Sequence, residues 1–174
     1  MIYIDLDDCL VAQNYDTQPS RSVLRPGALE LLHDLRLIGE IFLISAGTIK
    51  HVHARNDQHK LGFPVKNIIA REDLYQEEHA YRESHRIIPL KRDQCPGAVL
   101  IDNNPHDYPY TAVKLEWLGI KPEQFIQVPN FYGASYKGFA EQDLTDQIPD
   151  ILAKVRTILK LNEPTTPNPK PEST

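Results

Sequence analysis

Five short apolar runs constrain what this chain can fold into: IYI at 2–4, IFLI at 41–44, NIIA at 67–70, AVLI at 98–101 and QFIQV at 124–128. Rich in Ile, Val and Phe, they read as strands. The first, second and fourth are almost continuously apolar, as strands are when both faces of a parallel sheet are covered. Helical signals lie between them. PGALELLHDLRLIG (26–39) places Leu29, Leu32, Leu35 and Ile38 at helical spacing, with Pro26 suited to a first turn and Gly39 to a stop. Residues 48–61 and 72–85 are polar but helix-permissive, and TAVKLEWLG at 111–119 predicts a short helix ended by glycine. The segment 141–161 predicts a closing helix in which Pro149 marks a kink or a second start. Strands alternating with helices predict right-handed βαβ units and an α/β, doubly wound parallel sheet of about five strands.

Such sheets bind ligands beyond the carboxyl ends of their strands, at a topological switch point. Here IYI runs into Asp5, IFLI into Ser45 and AVLI into Asp102, and Asp7 follows two residues after Asp5. Neighbouring parallel strands would bring these side chains to one rim. Carboxylates from two strands make a hard-oxygen site suited to Mg²⁺, which takes few carboxylates, several waters and a substrate phosphate. One carboxylate can attack phosphorus, a second can move the proton of the leaving oxygen, and a hydroxyl can bind a phosphoryl oxygen.

Composition narrows the partners. Net charge is −5 with no basic stripe, which disfavours a dedicated nucleic-acid binder. No apolar run approaches the roughly 18 residues that span a bilayer, and the acidic residues at 5, 7 and 8 interrupt any signal peptide, so a cytoplasmic protein is expected. Cys9 and Cys95 form no metal-type spacing. His51, His53 and His59 lie on one polar stretch without a Cys or carboxylate to complete a zinc site, and read as exposed. Cys9 has no histidine beside it and is not expected to act as a nucleophile.

The same residues carry a family resemblance. DLDDCLV at 5–11 resembles the first motif of the haloacid dehalogenase-like phosphotransferases, and within them most closely the RNA polymerase II C-terminal-domain phosphatases, or NLI-interacting-factor family. VLRPG at 23–27 is similar to the family's Arg-Pro segment, FLISAGT at 42–48 to its second motif, and ARED at 70–73 to the segment after its third strand. LIDNNPHDY at 100–108 is similar to its fourth motif, and DLTDQIPDIL at 143–152 to its last helix. The resemblance implies that Asp5 is the nucleophile and an Mg²⁺ ligand, and that Asp7 is the general acid and base and ligates Mg²⁺ through its carbonyl. It further implies that Ser45 and Ala46 bind the phosphoryl group, and that Asp102 and Asn103 complete the metal site. The third motif, a lysine before the fourth strand, has two candidates here: Arg86, better spaced, and Lys91, eleven residues before Asp102, with Lys66 a distant third. In these terms residues 1–161 form the phosphatase domain and 162–174, with four prolines, a disordered tail.

Family members often carry a cap domain over the site. Here fewer than twenty residues separate Asp7 from the helix at 26, and the second insertion point holds about fifteen. Both are too short for a folded cap, though the first suffices for a hairpin flap. The expectation is an open site acting on a phosphorylated macromolecule such as a phosphoprotein. A nucleic-acid or nucleotide phosphatase and a non-catalytic phospho-ligand module of the same fold are the alternatives.

Overall fold

The computed structural model describes residues 1–14, 21–80, 84–90, 95, 97–131 and 143–160. In chain order its elements are β1 (Ile2–Asp5), β2 (Val11–Asn14), β3 (Arg21–Leu24), α1 (Ala28–Ile38), β4 (Ile41–Ile44), α2 (Ile49–Gln58) and β5 (Ile68–Ile69). They continue with α3 (Arg71–Leu74), β6 (Tyr75–Ala80), β7 (Ser84–Pro89), β8 (Val99–Asp102), α4 (Pro109–Leu118), β9 (Phe125–Gln127) and α5 (Ile148–Ile158). The sheet order is β5-β4-β1-β8-β9 with every pairing parallel. This is the expected doubly wound α/β sheet, and its switch point lies at β1, flanked by β4 and β8.

Strand alternation splits the core in two. Ile2 and Ile4 of β1, Ile41 and Leu43 of β4, and Val99 and Ile101 of β8 pack on one face with α1, Val52 of α2 and α5. Tyr3, Ile44 and Leu100 turn to the other face, against Leu74 and the buried side of α4. With both faces covered, the strands need no polar residue until they reach the rim.

Pro149 starts a helix rather than kinking one: α5 begins at Ile148 with Pro149 in its first turn, where the missing N–H costs nothing. The segment 72–85 differs from expectation. Only Arg71–Leu74 is helical, and Tyr75–Ala80 then pairs antiparallel with Ser84–Pro89. Pro89 therefore closes a strand. A second hairpin, β2 with β3, occupies the first insertion point, as the short span predicts. Ser22 ties it to α2, with its Oγ 2.5 Å from His59 Nε2 and accepting from Arg55 at 2.8 Å. The region 162–174 lies outside the described residues.

Arg25, from the Arg-Pro segment, is 1% exposed and fastens three segments together. Its guanidinium donates to the Cys9 carbonyl at 3.2 Å and the Pro129 carbonyl at 2.8 Å, and lies 5.6 Å from the Phe131 ring centre. Arg25→Met keeps the bulk but leaves both carbonyls without that donor. We expect it to lower stability by about 3 kcal/mol in urea unfolding, and an unchanged midpoint would show that the anchor is dispensable.

Candidate active site

Asp5 ends β1 and Asp102 ends β8, side by side across the switch point, and Ser45 follows β4 on the other side. All three are nearly fully buried. The chain then turns sharply: Asp8 takes a left-handed φ of 58°, and its N–H donates to the Val11 carbonyl at 2.7 Å. That turn carries Asp7 back over the rim, where Ser45 Oγ donates to its Oδ2 at 3.0 Å. Ser45 in turn accepts the Gly47 N–H at 2.9 Å. The Ala46 carbonyl is occupied, accepting from Arg71 Nε at 3.0 Å and the Tyr75 hydroxyl at 3.2 Å. The structure thus brings Asp5, Asp7, Ser45, Ala46, Asp102 and Asn103 together.

The cation at this site is one that the sequence reading missed. Lys114 of α4 is 2% exposed, and its Nζ donates to Asp5 Oδ1 at 2.5 Å and Asp102 Oδ2 at 2.7 Å. It lies after the fourth motif, where the family order gives no reason to look. A signal was present. Lys114 stands between Val113 and Leu115, a turn before Trp117 and Leu118, and all of these are buried, so the lysine lies within an apolar run on a helix that is covered on most sides. A lysine there needs a buried carboxylate. Arg86 lies on β7 opposite Glu78, its side chain outside the described residues, as is all of Lys91; Lys66 is exposed in a turn before β5.

Two carboxylates share this one ammonium, and the Asp7 carboxylate lies near enough to Asp5 to add its charge, so negative charge is in surplus here. Burial pushes Asp5 well above the usual carboxylate range; Lys114 pulls against this, while the charges of Asp102 and Asp7 add to it. Burial also draws the Lys114 ammonium down, but Asp5 and Asp102 more than offset it and hold the lysine above its ordinary value. Burial raises the Cys9 thiol well above normal, helped by Asp5 and Asp102, which leaves it unsuited to nucleophilic work.

The residues fit a hard divalent cation. One end of the Asn103 amide lies 3.1 Å from the Asp7 carbonyl oxygen and 3.2 Å from Asp5 Oδ2, while the other meets Asn130 Oδ1 at 2.6 Å. With Nδ2 turned inward it donates to both acidic-loop oxygens. The Asn103 amide, the Asp7 carbonyl and the Asp5 carboxylate thus share one rim with Asp102, and they are the few hard-oxygen groups that Mg²⁺ takes beside its waters. Among the described residues no group of three or more His, Cys, Asp and Glu side chains is arranged to hold a metal. Mg²⁺ does not require one, because carbonyls, an amide and waters complete its shell. His51 reaches Asp7 and His59 reaches Ser22, and with His53 they are half-buried, not exposed as the polar stretch leads one to expect.

Asp8 is itself strained electrostatically: burial, then the charge of Asp7, push its carboxyl up to about 6. A folded-state value above the unfolded one means the charged form is penalised, and stability falls as pH rises through that window. Asp8→Asn removes the penalty and suits the left-handed backbone. We expect a higher melting temperature than wild type at pH 7 and little difference at pH 4, measured in metal-free buffer. An equal difference at both values would contradict the electrostatic cause.

The family described as NLI interacting factor-like phosphatase matches residues 1–158. The chain belongs to the NLI interacting factor-like phosphatase family. The family is one of phosphatases, the hydrolase class that the sequence leads one to expect. Among solved structures, the chain is similar to a fission yeast RNA polymerase II CTD phosphatase, Fcp1, bound to beryllium fluoride, at 13% identity and a TM-score of 0.49, covering 90% of this chain and 50% of that one. A second structure, of Fcp1 as an essential RNA polymerase II CTD phosphatase, gives 13% and 0.49, covering 92% and 48%. The chain spans about half the length of the solved chains it matches. A search of curated proteins gives no match. Among the described residues no helix is long and apolar enough to cross a membrane.

Proposed function

We propose that this family member hydrolyses a phosphomonoester through an aspartyl-phosphate on Asp5, with Mg²⁺ held by Asp5, Asp102, the Asp7 carbonyl and Asn103. The observation that carries the reading is the buried Lys114 ammonium bridging Asp5 and Asp102 at the sheet's carboxyl rim. Two of its three N–H groups are taken by those carboxylates, and the third is left for a phosphoryl oxygen. Asp5 attacks phosphorus as the bond to the leaving oxygen breaks, and Asp7 supplies that oxygen with a proton. Asp7 then takes a proton from the water that attacks phosphorus, which frees Asp5 and releases phosphate. Ser45 turns its hydroxyl from Asp7 to a phosphoryl oxygen. When bound, Mg²⁺ supplies neutralisation of the charge that gathers on the transferring group.

Among the described residues only the short hairpins β2–β3 and β6–β7 stand at the insertion points, which fits a substrate large enough to cover the site itself. The cavity at the mouth holds about 440 Å³ and is lined by Asp7, Gly47, His51, Arg55 and Arg71 among others. The two arginines favour an anionic group. A phosphoprotein is the substrate class this supports. The direct test is phosphate release from p-nitrophenyl phosphate and from phosphopeptides, with and without Mg²⁺. Metal-dependent release is expected, and Mg²⁺ should raise the melting temperature by binding the native state alone. Neither release nor a thermal shift in the folded protein would refute the reading.

A further inference from the structure

We propose that His51 is a positioning residue for proton transfer, holding the Asp7 carboxylate in line with the leaving oxygen; this rests on the reading of Asp7 as general acid and base. Asp7 is anchored at both oxygens. Ser45 Oγ donates to Oδ2 at 3.0 Å, and His51 Nε2 lies 2.8 Å from Oδ1. With the proton that Asp7 transfers carried on Oδ2, Oδ1 accepts throughout, and the arrangement calls for the tautomer in which Nε2 donates.

The two anchors have different fates. Ser45 gives up Asp7 when its hydroxyl turns to a phosphoryl oxygen, and His51 is then the remaining side-chain hold. That matters because the Asp7 side chain is 45% exposed and otherwise free to rotate. A displacement of about 1 Å in a reacting group costs on the order of 100-fold in rate.

The approach of His51 is also built into the backbone. A Cβ at Gly47 would stand 2.8 Å from the His51 ring carbon Cδ2, 3.2 Å from Ser45 Oγ and 3.4 Å from Asp7 Oδ2. Glycine leaves the lane through which the imidazole crosses. The ring itself rises from the first turn of α2, whose cap Thr48 accepts the His51 N–H. His51 is thus fixed at its base and at its tip.

Positioning of an acid has a signature that a structural role lacks. A poor leaving group needs the proton, whereas p-nitrophenolate hardly does. The experiment compares kcat/KM on phenyl phosphate and on p-nitrophenyl phosphate for wild type, His51→Ala, His51→Gln and Asp7→Asn, with inhibition by inorganic phosphate alongside. His51→Ala should lose about tenfold more on phenyl phosphate than on p-nitrophenyl phosphate, with phosphate inhibition unchanged. His51→Gln, whose amide can replace the Nε2 donor, should recover most of the loss. Equal losses on both substrates, no recovery by glutamine, or weakened phosphate inhibition would each overturn the role of His51. The Asp7→Asn arm separates the two claims. A leaving-group split there without one in His51→Ala sinks His51 alone, and no split in Asp7→Asn sinks the general-acid reading beneath it.

Discussion

Lys114→Met is expected to lower phosphate release by at least ~100-fold, the usual cost of losing one preorganised donor to a developing charge. The buried side chain donates to Asp5 Oδ1 and Asp102 Oδ2, so its loss removes the counter-charge of two carboxylates at once. Stability should fall with activity, by about 3–5 kcal/mol at neutral pH, because a buried ion pair broken on one side leaves uncompensated charge. The two effects separate by pH. Acidification protonates the stranded carboxylates and should restore much of the stability, but not the missing donor. Lys114→Arg should rescue poorly, since a planar fork does not fit a space shaped around a compact ammonium. Urea unfolding at pH 5 and pH 7.5, with turnover under the same conditions, reads both effects. A folded Lys114→Met protein with near-normal turnover would return the role to Lys91 or Arg86.

Asp5→Asn is expected to abolish turnover, with a loss of at least ~10⁴-fold by comparison with other nucleophile deletions. The fold should survive. Asp5 sits at a carboxyl end of the sheet where burial pushes its pKa well up, so at neutral pH its charged form works against folding. The amide removes that penalty and still offers Lys114 an acceptor. Its melting temperature in metal-free buffer should therefore equal or exceed that of wild type at pH 7, with the advantage shrinking as pH falls. The thermal shift produced by Mg²⁺ in wild type should be lost. Residual turnover well above background in this variant would place the nucleophile elsewhere.

Much of this arrangement was legible because parallel strands mark their own ends. Both faces of β1, β4 and β8 are buried, so Asp5, Ser45 and Asp102 stand out as the first polar residues at the rim. The DxD spacing added Asp7 through a turn that needs only local geometry. Lys114 was missed for a different reason. Its α4 reads as an ordinary short helix, and the partners that explain a lysine within its apolar run lie 109 and 12 residues away. Family order pointed before the fourth strand and hid it. The β6–β7 hairpin was missed because YQEEHA carries helix-permitting glutamates, and its strand state is fixed by pairing with SHRIIP. His51 on Asp7 likewise joins residues 44 apart, a contact created by the position of α2 above the rim.

The central claim is that Asp5 carries the phosphoryl group, and borohydride trapping tests it most directly. Wild-type protein would be mixed with Mg²⁺ and p-nitrophenyl phosphate, quenched rapidly, reduced and mapped by peptide mass spectrometry. An acyl phosphate is reduced to the alcohol, so homoserine at position 5 is the predicted result, absent without substrate and absent in Asp5→Asn. Active wild-type protein that yields no homoserine, or yields it at another carboxylate, would contradict the account.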